Sequence, residues 1–232
     1  MGFPAAIELA IWLNQVRNGS ISTSDAVNAA ETITESFQIS SDQIISVEPV
    51  TNWLMLVQFA KSFGVPCFAV LPGPGQTYGL SADLISKIDL TTGVCIIGQK
   101  YLLARSPEGD SNWFLTELLT PIPTVDPKSA RLDLQDLIER SSAELSAMEL
   151  SGQRHFIDQE LHQLKPIHLP PALSNRVKSD LELAERIWLI AQISMSEAQA
   201  PHSRSLDERK IARLRELRTA AINLMTASTL AA

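Results

Sequence analysis

The residues that turn and stiffen a chain are gathered at one end of this one. Of its 10 glycines only Gly152 lies beyond residue 109, and beyond Val125 the only valine is Val177. β-Branched side chains fit a pleated surface, and glycine supplies the turns between strands. The sheet therefore belongs to the first half and helices dominate the second. Pro121, Pro123 and Pro127 mark the junction, since each removes a backbone donor and fixes φ. The pattern predicts an α+β fold. Residues 1–125 are expected to hold a mixed or antiparallel sheet with helices, and residues 126–232 a helical region packed against it as one compact unit.

Composition removes several classes. With 232 residues, 45% hydrophobic and a net charge of −7, the chain has enough apolar material for a core and too little charge for global disorder. Two cysteines do not make a disulfide scaffold, and no apolar run approaches a membrane span. A sequence pI of 5.1 disfavours a generally basic nucleic-acid binder. The charge is uneven: residues 1–125 carry 5 Lys and Arg against 11 Asp and Glu, leaving 14 against 15 beyond them. The start, Met1-Gly2-Phe3-Pro4, has neither a basic leader nor a small-residue cleavage site, and Ala6 stands where myristoylation wants Ser or Thr. The expected compartment is the cytoplasm, with Cys67 and Cys95 reduced.

Element signals follow in order. Pro4 to Asn18 reads as a helix capped by Gly19, with Ile7, Leu9, Trp12, Leu13 and Val16 on an apolar face. Ser22 and Asp25 form a capping-box start for a second helix, and a third runs from Thr51 to Phe63. Ile44–Val47 and Phe68–Leu71 read as strands, and Ser81–Ile88 as a short helix. Val94–Arg105 and Trp113–Thr120 read as two long antiparallel strands joined by a hairpin tip at 106–112. Further helices are expected after Asp126-Pro127, over about 153–164, from Pro170-Pro171 through Met195, and from Asp207 to about Ala227.

Three landmarks in this order carry a resemblance. They are the strand and loop Leu71-Pro-Gly-Pro-Gly-Gln-Thr-Tyr-Gly-Leu80, a strand pair with Trp113 opening its second member, and the Leu169-Pro170-Pro171 lead into a last helix rich in arginine from Arg209 to Arg218. Together they resemble an uncharacterised actinobacterial family of hypothetical proteins, over about residues 65–230. Gln76 stands where that family's loop carries Asp. The resemblance implies no activity, substrate or site residue.

Candidate sites are few. The Pro72–Gly79 loop follows a buried strand, and its glycines admit close approach of a ligand to the backbone. Gly73, Gly75, Gln76, Thr77, Tyr78 and Gly79 are its candidate ligand-binding residues, against the plainer reading of a stiff connection under a helix. It has neither phosphate-loop nor dinucleotide-binding spacing. His155, Asp158 and His162 share a predicted helix, but its outer histidines stand about 10 Å apart along the axis, too far for one ion. No metal site is assigned. Glu31 and Glu35 are one turn apart and read as a solvated pair. Cys67 and Cys95 read as small buried hydrophobes, and no serine sits in a nucleophile elbow. Arg209, Lys210, Arg213, Arg215 and Arg218 make a basic cluster with Glu216 inside it, the one candidate contact for nucleic acid.

No catalytic residue and no cofactor is expected. The first functional reading is a non-enzymatic cytoplasmic protein acting through an unknown protein partner, as an adaptor or regulatory protein, with a homodimer possible and no membrane. The alternative is a small-molecule binding protein or enzyme using the Pro72–Gly79 loop. Nucleic-acid binding through the last helix ranks third.

Overall fold

A computed structural model describes residues 3–35, 39–41, 44–45, 48–73, 75–107, 112–147, 167–197 and 204–232. Among them are seven helices and a five-stranded mixed sheet, so the chain is α+β. They form two compact units. One holds residues 3–124 together with 167–174 and 229–232; the other holds the described residues of 125–147, 175–197 and 204–228.

The first unit opens with α1 (Ala5–Arg17), α2 (Thr23–Thr34) and β1 (Ile39–Ser41). A two-stranded ladder follows, β2 (Ile44–Ile45) with β3 (Glu48–Pro49), then α3 (Trp53–Ser62), β4 (Phe68–Val70) and α4 (Ala82–Ser86). β5 (Val94–Ile97), β6 (Tyr101–Arg105) and β7 (Trp113–Glu117) complete the sheet. Local chemistry sets the helix starts. The Ser22 hydroxyl accepts from the Asp25 N–H at 3.1 Å and donates to its carboxylate at 2.7 Å. Asn52 and Ser81 cap α3 and α4 in the same way.

The sheet order is β1-β7-β6-β5-β4; β1 runs parallel to β7 and the other pairs are antiparallel. The stretch Val94–Arg105 is not one strand. Gly98 and Gln99 take φ of 62° and 58°, and the Lys100 N–H donates to the Ile97 carbonyl at 3.2 Å. This is the tight hairpin turn that matches strand twist. A Cβ at Gly98 would collide with the Phe63 ring, so glycine is favoured there by packing as well as by φ. The second strand ends at Glu117 rather than Thr120.

Register defines the faces. Val70, Val94, Ala104, Phe114 and Ser40 form one cross-strand row, and Phe68, Ile96 and Leu102 lie beside it on the same face. Leu80 and Ile88 are buried against this face, with Tyr78, Leu84, Ile85, Leu118 and Leu230 packed around them. On the opposite face Trp113 meets Trp53 of α3 edge-on, centroids 6.0 Å apart.

Edge strands must satisfy or hide their outer backbone groups. β4 uses buried side chains. The Cys67 N–H donates to Asn14 Oδ1 at 2.8 Å, Asn14 Nδ2 donates to the Cys67 carbonyl at 2.7 Å, and the Ala69 N–H donates to Thr229 Oγ1 at 3.2 Å. Asn14 Nδ2 also donates to the Thr229 carbonyl at 2.7 Å. At the other edge the Ile39 N–H donates to the Thr51 carbonyl at 3.1 Å.

α1 is buried along nearly its whole length, and its polar residues are correspondingly engaged. Glu8, Trp12 and Gln15 lie at successive turns. Glu8 accepts the His168 N–H at 3.0 Å, and Trp12 Nε1 donates to the His168 carbonyl at 2.8 Å while its ring stacks on the imidazole. Gln15 donates to the Ala232 carbonyl at 2.8 Å. These bonds bring 167–174 and 229–232 into the sheet-bearing unit.

The second unit contains α5 (Pro127–Ala147), α6 (Asn175–Glu197) and α7, which spans Arg204–Leu230. The Asp126 carboxylate caps α5 by accepting the Ser129 N–H at 2.8 Å. α6 begins at Asn175, not at Pro170-Pro171, where Leu173 instead donates to the Pro170 carbonyl in a turn. Arg131 of α5 meets Asp180 of α6 at 2.6 Å, with the Asp180 carboxylate buried. α6 also buries Glu185, 6% exposed. The expected helix over 153–164 lies outside the described residues.

Two outcomes test this packing. Asn14→Ala strands the Cys67 and Thr229 backbone groups it now serves, and is expected to cost about 2–4 kcal/mol in urea unfolding. Burial pushes the Glu185 carboxyl up to about 7, with Arg186 pulling it down and Glu182 pushing it further up. The unfolded carboxyl ionises near 4.5, so the stability that its protonated form confers is complete below that pH and lost as pH rises through 7. Glu185→Gln should therefore stabilise at pH 8 by on the order of 1 kcal/mol and change little at pH 4, read by thermal melts.

Candidate functional site

The row that ends in Phe114 and Ser40 also decides where the first unit opens to solvent. Val70, Val94 and Ala104 are fully buried, Phe114 is half-buried and Ser40 is exposed. The cover from Tyr78 to Ile88 thus thins towards β1. The result is a cleft of about 410 Å³ lined by Ser40, Ser86, Lys87, Ser106, Pro107, Asn112 and Phe114. That volume falls in the range of roughly 300–1,000 Å³ found for small-ligand sites.

Each wall has a local cause. β7 brings Phe114 up from the sheet, with part of the side chain packed on the core. α4 brings Ser86 and, at its C-terminal cap, Lys87. The neck of the β6–β7 hairpin brings Ser106, Pro107 and Asn112, held by the Ser106 N–H donating to the Asn112 carbonyl at 2.9 Å. Asp89 donates its N–H to the Arg105 carbonyl at 2.8 Å, fixing the chain after α4 to the end of β6.

Polar atoms at the cleft are already oriented. The Ser86 hydroxyl donates to the Asp83 carbonyl at 2.7 Å, and the Ser40 hydroxyl donates to the Trp113 carbonyl at 3.3 Å. Each serine oxygen therefore keeps acceptor capacity. Lys87 donates to the Asp83 carboxylate at 2.8 Å, one turn back along the chain.

The Pro72–Gly79 loop lies elsewhere. The Gly73 N–H donates to the Gln76 carbonyl at 3.1 Å and the Gln76 N–H returns the bond at 3.0 Å, so these backbone groups close a turn on themselves. Gly75 reaches φ 81° to make that turn. Thr77 accepts the Leu80 N–H at 3.0 Å, and Tyr78 packs on the sheet core. Gly73, Gly75, Gln76, Thr77, Tyr78 and Gly79 do not line the cleft.

The remaining candidates resolve individually. Cys67 and Cys95 are buried, and burial pushes the Cys67 thiol up to about 12 and the Cys95 thiol well above its ordinary value. Neither has the thiolate character of a nucleophile. On α7, Arg209 and Arg215 are exposed beside Glu208 and Glu216, whereas Lys210, Arg213 and Arg218 are half-buried. Arg213 pairs with Glu216 at 2.7 Å. The basic cluster thus wraps the helix, with carboxylates among its exposed members. Glu31 is half-buried on α2, and Glu35 leaves that helix in the left-handed conformation. His155, Asp158 and His162 lie outside the described residues. Among the described residues no group of three metal-ligating side chains comes together, and no helix is long and apolar enough to cross a membrane.

Sequence reasoning did not single out the residues that line the cleft. Ser40 and Phe114 become neighbours only through the parallel pairing of β1 with β7, between residues far apart in the chain. No spacing motif encodes that pairing. The chain matches no family model, no curated protein and no solved structure.

Proposed function

We propose that this protein binds a small molecule in the cleft above Phe114 and Ser40. One observation carries the reading: a sheet row that is apolar as far as Phe114 loses its cover at Phe114 and Ser40, and side chains able to donate and accept hydrogen bonds surround the opening. A rigid sheet floor with polar groups from separate loops is a common construction for a ligand site. A thermal-shift screen of small metabolites is expected to give at least one stabilising compound whose shift disappears in the double variant Lys87→Ala, Asn112→Ala. Both positions are exposed, so the variant should keep its stability to within about 1 kcal/mol. A screen with no stabilising compound, or a shift that survives the double variant, would count against the cleft.

A second reading, contact with another protein chain, rests on Leu119. It is 95% exposed in the segment between β7 and Pro121. Its neighbours are tied down, Leu118 donating to the Lys100 carbonyl at 2.7 Å and Ile122 to Gln99 Oε1 at 3.3 Å. The leucine is thus held out on an anchored segment, and a second copy of the chain is the simplest cover for it. Sedimentation should then show a dimer that Leu119→Ser dissociates; a monomer at every concentration removes self-association.

A further inference from the structure

The chemistry of the cleft wall selects a class of ligand, an inference that rests on the cleft being the binding site. We propose that the cleft takes a neutral, hydroxyl-rich ligand of the mono- or disaccharide class. Charge is the first argument. Among the described residues lining the cleft Lys87 is the one charged side chain, and its pairing with Asp83 at 2.8 Å leaves that pair without a net charge to draw an ion. An uncharged ligand leaves it intact.

Hydrogen-bonding capacity is the second. Ser40 and Ser86 spend their hydroxyl protons on backbone carbonyls and offer acceptor oxygens. Lys87 keeps ammonium protons beyond the one given to Asp83, and the Asn112 amide both donates and accepts. A ring bearing several hydroxyls meets such a mixed set because each hydroxyl can donate to one partner and accept from another. An ester or a hydrocarbon has no proton to give the acceptor oxygens of Ser40 and Ser86 and gains no hydrogen bond from them.

The aromatic floor is the third argument. Phe114 packs on the core and also lines the cleft. A sugar ring has an apolar face of C–H groups that can lie against an aromatic side chain while its hydroxyls point to the rim. The cleft is open to solvent at its rim residues Ser40, Ser86, Lys87 and Asn112, which suits a ligand that keeps part of its hydration.

Saturation-transfer NMR on the full chain tests the class. The probes are glucose, galactose, mannose and their disaccharides, with citrate and inorganic phosphate as anions and spermidine as a cation. At least one neutral sugar is expected to show transfer, unchanged on adding salt to about 0.5 M. Its affinity should weaken about tenfold in Asn112→Ala and again in Ser86→Ala. Binding of citrate, phosphate or spermidine but no sugar, lost in Asn112→Ala, would overturn the class and leave the cleft as the site. Sugar binding that both variants leave unchanged would place the sugar elsewhere and also overturn the proposal. If no probe binds and the metabolite screen is also empty, the cleft itself fails as the site.

Discussion

One buried amide holds the sheet-bearing unit together. Asn14 projects from α1 to the outer edge of β4, where its two amide atoms serve both Cys67 backbone groups and its nitrogen also reaches the Thr229 carbonyl. An edge strand buried in apolar surroundings cannot leave these groups unmet, because each orphan costs on the order of 1–3 kcal/mol. Another strand would satisfy them but would continue the sheet. Asn14 and Thr229 end it instead, joining a residue near the start of the chain to one near its last helical turn. The polar residues Glu8, Trp12 and Gln15 extend the same arrangement along α1, each holding backbone from the C-terminal half.

Closing that edge leaves the opposite corner of the sheet as the place that opens. β1 is short, pairs with β7 and with no other described strand, and presents Ser40 at the end of a row that is otherwise apolar. Tyr78, Leu80, Leu84, Ile85 and Ile88 cover the central strands. Beyond them α4 contributes Ser86 and Lys87, and the hairpin neck contributes Asn112. The change from an apolar interior to a polar-walled cleft thus takes place across two adjacent strands. The Pro72–Gly79 loop, which has the look of a ligand loop in the sequence, closes on itself through Gly73 and Gln76 and packs Tyr78 on the core.

Local signals were legible where local chemistry decides. Ser22 and Asp25 cap a helix as their spacing predicts, Asp126 starts another, and glycine and valine locate the sheet. Gly98-Gln99 escaped notice because glutamine is not a usual second residue of a tight hairpin, though it holds a positive φ here. Pro170-Pro171 suggested a helix start, but the backbone there makes a turn while neighbouring His168 is fastened to α1, so the helix waits until Asn175. Asn14 carries no local signal in the sequence. Its purpose depends on partners 53 and 215 residues away, beyond any local pattern. The cleft was illegible for the same reason, since its floor exists only after β1 and β7 have paired.

The central claim is that binding occurs at the open corner of the sheet. Chemical-shift mapping on ¹⁵N-labelled protein, titrated with the strongest stabilising compound from the metabolite screen, tests it most directly. The account predicts the largest changes at the amides of Ser40, Ser86, Lys87, Ser106, Asn112 and Phe114, with those of Gly73, Gly75, Gln76 and Gly79 unmoved. Changes centred on Gly73–Gly79, or spread evenly through the chain, would contradict it.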